Sequence, residues 1–102
     1  MGGAGSVLDW LQGWYARQCD GDWEHEWGVT IETLDNPGWH VRIDLEGTSL
    51  AERGDLEYVL ERDGQDWVFA RVRDRCFDAS CGPGNLTDVL EMFRGWVAEA
   101  PD

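Results

Sequence analysis

Apolar residues recur along this chain at two spacings, and each spacing marks its own kind of element. From Ser6 onward, Val7, Leu8, Trp10, Leu11, Trp14 and Tyr15 share one broad arc when successive residues are turned by ~100°, with Asp9, Gln12, Gly13 and Ala16 opposite. Ser6 and Asp9 stand as in a capping box, with Asp replacing the usual Glu, so an amphipathic helix is predicted over residues 6–18. Its Trp and Tyr stripe has the spacing of core packing rather than of a ligand box.

A period of two then takes over. Val29, Ile31 and Thr33 alternate with Thr30, Glu32 and Leu34, the Asn36-Pro37-Gly38 turn follows, and Trp39, Val41, Ile43 and Leu45 alternate with His40, Arg42 and Asp44. A two-residue Pro37-Gly38 loop would oppose Glu32 to Ile43 and Ile31 to Asp44, mixing apolar with charged residues on both faces. An odd-length loop instead opposes Ile31 to Ile43 and Thr33 to Val41, with Glu32 facing Arg42 and Thr30 facing Asp44 on the polar side. The odd loop is therefore predicted.

After a loop over residues 47–54, Leu56, Tyr58 and Leu60 alternate with Glu57, Val59 and Glu61 before Asp63-Gly64, a signal for a type I′ turn. That turn pairs Leu60 with Trp67 and Tyr58 with Phe69 on a core face. Arg71, Arg73 and Arg75 continue the alternation, so towards residue 75 the strand must leave the core or use these arginines at an edge, where charge discourages edge-to-edge pairing. A short segment around Cys76 and Phe77 leads to Gly82-Pro83-Gly84, and Asn85, with Asp88 at the capping-box position, opens a last helix with the stripe Leu86, Val89, Leu90, Phe93, Trp96 and Val97. The expected fold is α+β: an antiparallel sheet of four to five strands built from two hairpins, with an N-terminal and a C-terminal helix packed on one face. One domain over residues 1–102 is expected, with residues 1–5 a frayed start.

Charge changes the picture more than size does. With 21 acidic and 8 basic residues the formal charge is -13, which speaks against nucleic acid and against acidic membrane surfaces, because both need many cations. It favours a protein partner with a basic surface, approached by electrostatic steering. Every basic residue is Arg, so lysine chemistry is excluded. Cys19, Cys76 and Cys81 are an odd number in a chain whose start lacks an apolar leader region, which predicts a reducing, cytoplasmic setting without a disulfide framework.

The candidate chemistry gathers between Cys19 and Thr48. Asp20, Asp22, Glu24, His25 and Glu26 could hold a divalent cation, but the order of a calcium loop is absent and Cys19 with His25 is no zinc spacing. Cys81, ahead of the last helix, could be a thiolate favoured by a helix N-terminus, and a small apolar residue is the plainer reading. His40 as a general base competes with an ordinary surface histidine. No metal and no cofactor is predicted, and a metal-dependent or thiol enzyme using residues 20–26 or Cys81 is the alternative. The preferred reading is a binding surface made of Asp20, Asp22, Trp23, Glu24, Glu26 and Trp27 in the connection, with Glu32, His40, Arg42 and Asp44 on the hairpin's polar face. Trp39 belongs to the core by its alternation, whereas Trp23 and Trp27 fit either use.

The words WLQGWY at 10–15, CDGDWEHEWGVTIETLDNPGW at 19–39 and IDLEGT at 43–48, with FRGW at 93–96, resemble the bacterial polymorphic-toxin immunity proteins of family fifty-three. Between residues 49 and 84 the likeness is one of pattern. The resemblance implies a small cytoplasmic α+β protein, made beside a toxin gene, that binds and neutralises the toxin domain and has no catalysis of its own. It assigns no toxin-contacting residue.

Overall fold

The computed structural model describes residues 6–53 and 56–99; the expected frayed start at 1–5 lies outside the described residues. The first helix, α1, runs Val7–Gln18, and the Ser6 hydroxyl accepts the Leu8 and Asp9 N–H groups at 3.1 and 3.3 Å, satisfying donors that a helix start leaves free. Its buried stripe is narrower than the sequence arc: Val7, Leu11 and Trp14 are buried, whereas Leu8 and Tyr15 reach solvent. A single turn, α2 (Trp23–Glu26), leads into β1 (Val29–Leu34) and β2 (Gly38–Asp44). Then come β3 (Leu56–Glu61), β4 (Trp67–Arg73), β5 (Cys76–Cys81) and the last helix, α3 (Leu86–Ala98).

The five strands form one antiparallel sheet in the order β1-β2-β5-β4-β3. The short segment expected near Cys76 is thus the central strand, joining the two hairpins. Its residues alternate: Phe77, Ala79 and Cys81 turn towards the helices, Asp78 and Ser80 away from them.

The first hairpin has the expected odd loop, the three residues Asp35, Asn36 and Pro37 between Leu34 and Gly38. Its pairs are displaced by two from expectation, with Ile31 facing Val41, Val29 facing Ile43, Glu32 facing His40 and Thr30 facing Arg42. A shift of two keeps every side chain on its face. Gly38 itself takes a ladder position, one that only glycine fits because a Cβ there would collide with the Cys81 carbonyl of β5.

The second hairpin departs by one residue, which matters more. The Asp63 carboxylate accepts the Gln65 and Asp66 N–H groups at 2.8 and 2.9 Å, so the turn holds Asp63, Gly64 and Gln65 instead of two residues. Arg62 closes it by donating its backbone N–H to the Asp66 carbonyl at 2.9 Å. Leu60 therefore faces Val68, Tyr58 faces Ala70 and Val59 faces Phe69, not the expected Trp67 and Phe69 partners. The core row of β4 is Val68, Ala70 and Val72, and Phe69 stands on the other face with Arg71 and Arg73. The strand has no need to leave the core, because the arginines were never on the core side.

Both long helices cover one side of the sheet. Phe93 is the hub of the packing, its ring 5.0 Å from Phe77, 5.3 Å from Trp14 and 5.8 Å from Trp10, mostly edge-on as aromatic quadrupoles favour. Asn85 stands at the N-cap of α3 but does not cap it. Its side chain instead accepts the Trp67 N–H at 3.3 Å and donates to Asp66 and Asp88, tying the helix start to β4.

Candidate functional site

The predicted site residues separate into two groups. In the acidic connection, Asp20 accepts the Asp22 and Trp23 N–H groups, each at 2.9 Å, while Glu24 reaches back to the Asp20 and Gly21 N–H groups at 2.9 Å. Backbone donors favour the ionised carboxylate. The Asp20 acidity is accordingly strengthened by the Trp23 and Asp22 N–H groups, and that of Glu24 by its own N–H and then by those of Asp20 and Gly21. These two carboxylates hold a turn together.

Trp23 is not an exposed anchor. It is 6% exposed, meets Trp14 and Tyr15 edge-on, and donates its ring N–H to the Glu46 carbonyl at 2.8 Å. An indole that finds both apolar packing and a carbonyl is satisfied in the interior. Trp27 is 36% exposed and keeps company with exposed Asp22 and Glu26.

Glu32, His40, Arg42 and Asp44 lie together on the side of the sheet that α1 and α3 do not cover. The registers place Glu32, His40, Ser80, Phe69 and Val59 in one row across all five strands, and Thr30, Arg42, Asp78, Arg71 and Glu57 in the next. His40 bridges two strands, with Nδ1 2.9 Å from Glu32 and Nε2 3.2 Å from Asp78. The Glu32 hydrogen bond raises the imidazole pKa, burial opposes it, and Asp78 adds to the rise. Arg42 lies 3.5 Å from Asp44, whose other oxygen accepts the Gly28 N–H at 3.0 Å. Asp44 is thus the link between the open face and the connection that ends at Trp27.

Asp78, Ser80, Phe69, Arg71 and Val59 complete this face and were missed from the sequence. The signal was present: CFDASC alternates as cleanly as the first hairpin, and Val68, Ala70 and Val72 leave Phe69, Arg71 and Arg73 on the opposite side.

Cys81, the thiol of the enzymatic alternative, lies in the interior. Cys81 ends the central strand, fully buried on the helix side, and burial raises its thiol pKa, which opposes thiolate formation. Cys76 is buried with its pKa raised in the same way. Among the described residues no three His, Cys, Asp or Glu side chains gather closely enough to hold a metal ion, and none of the helices is long and apolar enough to cross a membrane.

Fold and site together define a small α+β domain with one helix-covered sheet face and one open, charged face. Residues 8–98 match the family Immunity protein 53, and the chain belongs to that family. No curated protein and no solved structure matches it.

Proposed function

We propose that this protein is a non-enzymatic immunity protein that binds the toxin domain encoded beside its gene and neutralises it in the cytoplasm of the producing bacterium. The observation that carries this is the family match across nearly the whole chain. The geometry supports it in a second way. Five paired strands hold the open face rigid, so its side chains meet a partner with little ordering left to do.

The candidate contact set is Glu32, His40, Arg42 and Asp44, flanked by Asp20, Asp22, Glu24, Glu26 and Trp27, with Trp23 supporting them from the core. The charge of -13 favours a toxin that is basic overall, since steering speeds encounter between opposite charges. Co-expression with the neighbouring toxin gene tests the proposal. Cells are expected to survive, and purified toxin domain to bind with an association rate that falls as salt is raised. Death of the co-expressing cells, with no complex in calorimetry, would overturn it.

A further inference from the structure

The half of the open face on β4 and β3 carries features that the first-hairpin set leaves unexplained. Val59 and Phe69 pair directly across the strands and are 62% and 44% exposed. They wall an open groove of about 340 Å³ that Glu57, Arg71, Asp78 and Ser80 also line. Beyond Arg71 and Asp78 lies a smaller depression of about 160 Å³ among Arg42, Arg73 and Cys76, with Asp74 at its margin.

Three of the chain's eight arginines therefore converge on one face of a protein whose charge is -13. Asp78 is already engaged by His40, and Arg42 only loosely by Asp44 at 3.5 Å. Arg71 and Arg73 have no carboxylate oxygen within 4.0 Å among the described residues, although Arg71 sits in the row between Glu57 and Asp78. A planar guanidinium with free N–H groups beside an exposed aromatic ring has the chemistry of an interface anchor, and its complement is a carboxylate.

We infer that this half of the open face is where the toxin domain docks, taking an aliphatic or aromatic toxin side chain between Val59 and Phe69 and a neighbouring toxin carboxylate onto Arg71, with Arg42 and Arg73 beside it. The inference rests on the toxin-binding reading above. Net charge governs the encounter, and these few groups set the register of the contact.

Calorimetry of the full chain with the neighbouring toxin domain, purified in a catalytically inactive form, tests it. Phe69→Ala and Arg71→Glu are each expected to weaken binding by about 30-fold or more, and Arg71→Lys by less. Gln12→Ala combined with Glu91→Gln, exposed on α1 and α3 on the helix-covered side of the sheet, is expected to stay within about threefold of wild type. All four proteins face solvent at the altered positions, and melting curves check that they fold. Hydrogen exchange on the wild-type complex should protect β3 and β4. Wild-type affinity in the Phe69 and Arg71 variants, protection confined to α1 and α3, or self-association of the free chain through this face would overturn the inference while leaving toxin binding intact. Absence of any wild-type binding would instead remove the toxin reading and this one with it.

Discussion

Phe77 and Phe69 lie on adjacent strands of one sheet, yet the two faces give them opposite circumstances. Phe77 points to the helices, is 0% exposed and touches Phe93; Phe69 points to solvent, held by Val59 across the strand. On the covered face an aromatic ring is part of the fold. On the open face it meets the Trp67 ring at 5.4 Å and still leaves much of its apolar surface in water. The difference separates what the fold requires from what is left for a partner, and it is measurable. Phe77→Ala should cost about 3–5 kcal/mol through lost burial and an unfilled cavity, a large share of the stability of a domain this size. Phe69→Ala should stay within about 1 kcal/mol, the range of a single cross-strand pair. Denaturant midpoints compare them, and equal losses would mean that the faces are not distinct in this way.

A smaller effect sharpens the same contrast for polar groups. Asn85 is buried with all its partners named: the Trp67 N–H, Asp66 and Asp88. Asn85→Ala would leave the Trp67 N–H without its acceptor and Asp88 without its Asn85 donor, while Asp66 keeps Arg62, so about 1–3 kcal/mol should be lost. Ser80 lies half-buried on the open face, and Ser80→Ala should change stability by less than about 0.5 kcal/mol. Urea melts of the two variants decide it. A large loss at Ser80 would show that the open face has a structural role of its own.

How much of this was legible in the sequence depended on the turns. Both hairpins alternate well, but alternation fixes only the parity of a register, and the turn fixes the rest. In the first hairpin the mixed faces of an even loop ruled it out, and the remaining error of two residues cost nothing in facing. In the second, Asp63-Gly64 has the composition of a two-residue turn, while the Asp63 carboxylate stabilises a three-residue one. That single residue moved Phe69 from the expected core to the open face. The third hairpin was not read as one, because its two-residue turn is Asp74-Arg75, with φ of 56° and 59° at residues that rarely adopt positive values. Arg75 is held there by ion pairs to Glu46 and Glu52 at 3.3 and 2.6 Å, partners distant in sequence. Without that hairpin, β5 could not be seen as the centre of the sheet, nor Asp78 as the second partner of His40. The acidic connection was legible in composition only: nothing in CDGDWEHEW says that Asp20 and Glu24 fold back on the backbone or that Trp23, and not Trp27, enters the core.

His40 offers the smallest test and the one specific to the open face, where it bridges Glu32 and Asp78. Its folded pKa is raised above the ordinary 6.5, first by the Glu32 hydrogen bond and then by Asp78, against the effect of burial. A group whose pKa is higher folded than unfolded binds its proton more tightly in the native state. Its contribution is therefore fully present below 6.5 and is lost as pH rises through the folded value. Both carboxylate partners are open to solvent, so the contribution should be under about 1 kcal/mol. Wild type should exceed His40→Gln in stability at about pH 6 and lose most of that margin by about pH 8.5, whereas the Phe77→Ala deficit should be the same at both. Titration of the ring by NMR should place its pKa above 6.5, and Glu32→Gln should lower it. A ring that titrates at or below 6.5 would mean that the bridge between Glu32 and Asp78 does not hold the proton, and the open face would then lack a pH dependence of its own.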